Sequence, residues 1–134
     1  MSYTLSTTID RPFGDAVQAT REALADQGFG VLTEIDLAGT LKTKIGADIE
    51  PQVILGACRP PLAYAAVQAE PSIGLLLPCN VVVRSIDERR TAVEAMDPDV
   101  MVTLTGNARL ADVAADARGR LTRALASLTG PTAS

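Results

Sequence analysis

The chain has 134 residues, 47% of them hydrophobic, and a formal net charge of −4. That length supports one aliphatic core without disulfides or a structural metal, and the hydrophobic share excludes disorder. An acidic balance and an aromatic share of only 3% leave neither the clustered basic surface nor the stacking platform that nucleic-acid binding needs.

No window approaches the roughly 20 apolar residues that cross a bilayer. The first residues, Met1 to Pro12, lack the basic and apolar regions of a secretory signal. No membrane association and a cytoplasmic, reducing location are therefore expected, with the two cysteines as thiols rather than a disulfide. The absence of His removes the commonest metal ligand and the one side chain that titrates near neutrality unperturbed.

Tyr3 to Ile9 alternates hydroxyl and aliphatic residues, which predicts a half-buried strand. Asp10 is placed to cap a helix with Pro12 in its first turn. Phe13, Val17, Thr20 and Leu24 form its buried stripe, and Gly28 ends it. Gly30 to Ile35 reads as a strand. Asp36 then caps a short helix whose Leu37, Leu41 and Ile45 share a face up to Gly46, with Gly39 weakening it. After a loop over Ala47 to Pro51, Gln52 to Ala57 reads as a buried strand ending at Cys58.

Pro60 and Pro61 start a helix that runs over Leu62 to Glu70 and stops at Pro71. Ile73 to Val83 reads as strand, broken at Pro78. Asp87 to Arg90 is the turn of a hairpin between Asn80–Ile86 and Thr91–Met96. Val100 to Thr105, beyond the Asp97-Pro98-Asp99 boundary, fits either a helical turn or a loop. Leu110, Val113, Ala114, Ala117, Leu121, Ala124, Leu125 and Leu128 mark the strongest helix, and Gly130-Pro131 ends it. There is no internal repeat or linker. The expected organisation is one α+β domain over residues 1–129 followed by a short tail, 130–134. It is a two-layer sandwich of about five to six strands with two long and one to two short helices.

Ile54-Leu55-Gly56-Ala57-Cys58-Arg59-Pro60 and Gly74-Leu75-Leu76-Leu77-Pro78-Cys79-Asn80-Val81-Val82-Val83 resemble the bacterial and archaeal domain of unknown function 302 family. The opening strand, the helix containing Phe13 and the Gly28-Phe29-Gly30-Val31 turn follow the same pattern, so the resemblance spans essentially the whole chain. It implies a curved, mostly antiparallel sheet with helices on one face, and a homodimer. The family has no settled activity, and no catalytic residue is implied. Cys58 and Cys79 match its motif cysteines, whereas Arg59 stands where a small polar residue such as Asn is usual.

Chemistry, if present, would centre on these cysteines. Cys58 precedes a helix start, whose free N–H groups and partial positive charge favour a thiolate, and Arg59 acts the same way. Cys79 follows Pro78 at a strand irregularity that can re-aim its side chain. If both sulfurs faced one pocket they would make a thiol pair for redox, sulfur or soft-metal chemistry, such as Cu(I) binding. The bland alternative is two ordinary buried cysteines. Their separation matches neither CxxC nor a four-ligand zinc site.

Tyr64 could bring a hydroxyl to the same pocket, although a core tyrosine is the simpler reading. Glu70, Asp97 and Asp99 read as loop acids, and Arg118, Arg120 and Arg123 as a solvated face. Gly28-x-Gly30 lacks the preceding strand and third glycine of a dinucleotide loop. The candidate ligand-binding residues are thus Cys58, Arg59, Tyr64, Cys79 and Asn80. The expected function is a non-enzymatic small-ligand-binding or interaction module acting as a homodimer. The alternative is a thiol-dependent sulfur, redox or soft-metal protein using Cys58 and Cys79. A carboxylate enzyme ranks last, because no paired acids, Ser–base pair or phosphate loop is present.

Overall fold

The computed structural model describes residues 2–129; the tail expected from residue 130 lies outside them. Five strands form one sheet: β1 (Thr4–Ile9), β2 (Gly30–Asp36), β3 (Gln52–Cys58), β4 (Cys79–Ser85) and β5 (Thr91–Met96), in the order β1-β5-β4-β3-β2. Every neighbouring pair is antiparallel. Alternation decides the faces. Val53, Leu55 and Ala57 on β3, Val81 and Val83 on β4, and Val93 and Ala95 on β5 turn inward and are buried.

Helix α1 (Phe13–Asp26) and helix α5 (Ala111–Leu128) cover that face, supplying Ala16, Ala23, Leu24, Leu121, Ala124, Leu125 and Leu128 to the same core. Alanine at the contact brings the helices close, and the aliphatic side chains then fill the layer without aromatic bulk. A second, smaller core (Ala66, Ile73, Met101, Leu110 and Ala114) joins helix α3 (Pro60–Ala69) and helix α4 (Asp99–Thr105) to α5. The opposite face of the sheet carries Asn80 and Arg84, both exposed, and contributes nothing to either core.

Two details differ from the sequence expectations, and two others settle or extend them. Asp10 does not cap α1, which starts after Pro12 without a side-chain cap. Pro71 to Leu76 is a 3-10 helix rather than strand: Ile73 is drawn into the second core, and β4 starts only after the cis Leu77–Pro78 peptide. Val100 to Thr105 lies within α4, ended by Gly106 in the left-handed conformation (φ 66). Finally, helix α2 (Leu37–Ile45) forms with Asp36 accepting from the Gly39 N–H at 2.9 Å, yet none of its residues is buried. A side chain at Gly39 would strike that capping carboxylate, which explains the glycine inside a helix.

Two polar ties hold the second core. Asp97 is 8% exposed; it accepts from the Asp99 N–H at 3.0 Å and from Arg118 Nε at 3.2 Å, joining the start of α4 to α5. Asn107 donates from Nδ2 to Ala69 O and Glu70 Oε1, both at 2.9 Å, tying the end of α3 to the turn after α4.

Glycine positions separate by what surrounds them. A Cβ at Gly56 would collide with Thr33 Oγ1 and sit 2.8 Å from Pro78 Cγ, whereas one at Gly14 would meet nothing within 4 Å. Gly56→Ala is expected to destabilise by about 1–3 kcal/mol. Gly14→Ala, on the exposed side of α1, is expected to stabilise by about 0.5 kcal/mol. Urea midpoints of the two variants check both signs.

Candidate functional site

The two cysteines bracket one end of the sheet, Cys58 closing β3 and Cys79 opening β4. Register sets Cys79 opposite Ala57, so its side chain turns toward the helices and is 6% exposed. Successive strand residues face opposite ways, so Cys58 leaves the strand on the other side of the pleat, half-buried. Both are free thiols. The thiol pair that the sequence left as an alternative is not shown, because residue parity in the β3–β4 ladder turns the two side chains to different sides of the pleat. Burial pushes the Cys79 thiol up from 9.0 to about 11, with a smaller rise from the charge of a Cys58 thiolate. This is the opposite of thiolate activation.

The helix start after Cys58 also lacks what a thiolate needs. Pro60 and Pro61 occupy the first helical positions of α3 and have no N–H to offer. The next two N–H groups, of Leu62 and Ala63, both donate to Arg59 O at 3.0 Å. The donors that the sequence reading assigned to Cys58 are therefore missing or engaged.

Cys58, Arg59 and Cys79 border a cavity of about 30 Å³ between the sheet end, α3 and α5. Its remaining walls are apolar, with Phe29, Leu62, Ala66, Leu77, Met101 and Ala117 among them. That volume is roughly one water's share of the liquid, in a site without the polar partners a water requires. It lies far below the roughly 300–1,000 Å³ of a small-molecule pocket. A group larger than a water does not fit inside it.

Two of the expected site residues fall elsewhere. Tyr64 is 69% exposed, on the side of α3 opposite Leu62, Ala63 and Ala66, so its hydroxyl does not reach the cavity. Asn80 lies on the uncovered face, in a shallow groove of about 300 Å³ with Tyr3, Gln52, Arg84 and Glu94. A larger, open depression of about 630 Å³ runs from Asp10 and Pro12 to the Asp87–Arg90 turn at the far end of the sheet. Asp87 there accepts from the Arg89 and Arg90 N–H groups, which hold its carboxyl below the usual range, with Arg90 Nε adding to the effect. Among the described residues no three His, Cys, Asp or Glu side chains gather as a metal-binding group.

What the sequence reading missed is a basic convergence beside the cavity mouth. Arg120 Nη1 donates to Gln27 O at 3.0 Å and Arg123 Nε to Gln27 Oε1 at 3.1 Å, so these two are not simply a solvated face. A Cβ on Gly28 would lie 3.0 Å from Arg59 Nε and 3.7 Å from Arg120 Nη1. The only local signal was Gly28 itself, since the arginines are separated from it by up to 95 positions in the chain, Gly28 to Arg123.

Cys79 generates a pH-dependent prediction. The folded state holds its proton more tightly than the unfolded state, from 9.0 to about 11. That contribution is complete below about pH 9 and is lost as pH rises through about 11. The loss amounts to about 2–3 kcal/mol. The urea midpoint of the wild-type protein should fall more between pH 9 and 11 than that of Cys79→Ala; equal falls would clear Cys79 as the cause.

Similarity to known proteins agrees with this architecture. The model of the family described as "Domain of unknown function DUF302" matches residues 5–128. A crystal structure of an uncharacterized conserved DUF302 protein from Bacillus stearothermophilus is 25% identical in sequence. The match covers 96% of this chain and 99% of that one, with a TM-score of 0.88. No curated protein matches. The α+β chain with its open five-stranded antiparallel sheet, matched over residues 5–128, belongs to the DUF302 family.

Proposed function

We propose that this protein is a non-catalytic binding module of the cytoplasm, working as a homodimer and holding a small ligand at the Cys58–Arg59 mouth. The observation that carries the dimer is helix α2. It has nine residues and an apolar stripe of Leu37, Leu41 and Ile45, yet buries none of them. Helices shorter than about 12 residues are marginal in water unless they pack. Ile45 is 72% exposed, and the adjoining edge strand β2 leaves Leu32 at 66% and Ile35 at 47%. An uncovered aliphatic flank next to a free strand edge is the kind of surface a partner covers.

A second copy fits this flank better than an unrelated partner does. The flank carries both signs of charge, with Lys42 paired to Asp48 and Arg21 to Glu34. A twofold axis sets a patch against itself, and a patch holding both signs can pair with its own image.

The thiol reading is the weaker one, resting on Cys58 alone as a half-buried free thiol. It lacks the paired sulfur and the helix-start donors that motivated it.

Light scattering during size exclusion is the test. A dimer should elute with twice the 14.0 kDa chain mass. Ile45→Glu and Leu32→Glu should each shift it to monomer with little change in thermal stability of the monomer unit. A wild-type protein that stays monomeric at about 100 μM would overturn the dimer, since an interface weaker than that has less than about 6 kcal/mol of binding energy.

A further inference from the structure

Three guanidinium groups meet where α1 turns into β2, each from a different place in the chain or a different helical turn. Arg59 comes from the end of β3, while Arg120 and Arg123 come from α5. Arg120 and Arg123 each donate one hydrogen bond to Gln27, and Arg120 Nε also binds Asp116 Oδ1 at 2.6 Å. Arg59 is half-buried, and among the described residues its guanidinium has no hydrogen-bond acceptor or ion-pair partner. Arg59 Nε and Arg120 Nη1 both lie near Gly28, 3.0 Å and 3.7 Å from where its Cβ would stand.

Charge does not balance at this spot. Among the described residues, Asp116 is the one carboxylate in contact with the three arginines. The C-terminal end of α1 supplies about half a negative charge more. Asp26, on the last turn of α1, is exposed and makes no ion pair with them. A local excess of positive charge therefore stands on a chain whose net charge is −4. Gly28, exposed and at φ 86, lets Arg59 pack against its backbone, since a Cβ there would crowd Arg59 Nε at 3.0 Å. The Gly28 N–H is already engaged, donating to Ala25 O at 2.9 Å, so an incoming group would meet guanidinium donors and no free backbone donor.

We propose that this convergence is an anion site, with Arg59 as its principal donor and a phosphate group as the ligand chemistry it takes. A guanidinium presents paired N–H donors in a fixed fork that matches phosphate oxygens, and a doubly charged oxyanion suits two unneutralised arginines better than a single carboxylate does. The proposal rests on the reading of the chain as a ligand-binding module and names the ligand class at the mouth of the cavity. Dimerisation is read by mass and phosphate binding by amide shifts, so failure of the one is distinguishable from failure of the other.

The experiment titrates inorganic phosphate, and methyl phosphate in a parallel arm, into the 15N-labelled full chain at constant ionic strength. The Gly28 and Arg59 amide resonances are followed. Saturable shifts at both are expected with each probe. Arg59→Gln and Arg123→Gln should each weaken binding at least about tenfold. Arg89→Gln, in the turn at the far end of the sheet, should leave it unchanged. Tighter binding of inorganic phosphate would identify the free ion as the preferred source; tighter binding of the methyl ester would identify a phosphomonoester. Three outcomes overturn the site: no saturable shift, an equal effect of chloride, or full affinity in Arg59→Gln with an unchanged fold.

Discussion

Val81, Val83, Val93 and Ala95 project from β4 and β5 into Ala16, Leu24, Leu121 and Ala124 of α1 and α5, and every other feature of the fold is placed by this layer. A chain without Trp and with two Phe cannot fill a wide gap between helices and sheet. Small residues on the helix faces close the gap instead, and branched aliphatics on the strands occupy what remains. Contact at that distance fixes the tilt and height of α5, and through α5 the position of the second core, because Leu110, Ala114 and Met101 pack at its start. Asp97 and Arg118 then lock α4 onto the same helix.

The consequence at the sheet end is chemical. Because α5 must lie close to the strands, Ala117 and Arg120 are brought beside Phe29 and the α1–β2 turn. The apolar side of α5 seals a cavity over Cys79, and the neighbouring polar side delivers arginines to Gln27. One helix therefore both buries the cysteine and builds the basic convergence. The cysteine is held in hydrocarbon, where its charged form is penalised. The arginines reach carbonyl and carboxamide oxygens at a helix terminus, where positive charge is favoured.

The β2–α2 flank shows the other side of the same constraint. The helix layer covers only one face of the sheet, and the connection between β2 and β3 lies outside its reach. The stripe on α2 is therefore left with no buried residue, although its pattern is that of a packing helix. Local signals alone were enough to form that helix: the Asp36 cap, the Gly39 that leaves room for it, and Gly46 in the left-handed conformation at its end. Its burial was not a local matter.

Residue order by itself determined the strands, the long helices α1 and α5, most of their ends and the aliphatic nature of the core. Each of these follows from a period of two or of 3.6 and from glycine or proline within a few residues. The same local reading missed the 3-10 turn at Pro71–Leu76, because a buried Ile73 reads alike in a strand and in a packed turn. Which side of the pleat each sulfur occupies, and which arginines gather at Gly28, were decided only by tertiary structure. Both depend on the β3–β4 register and on the approach of α5 to α1, contacts between segments far apart in the chain that no local spacing encodes.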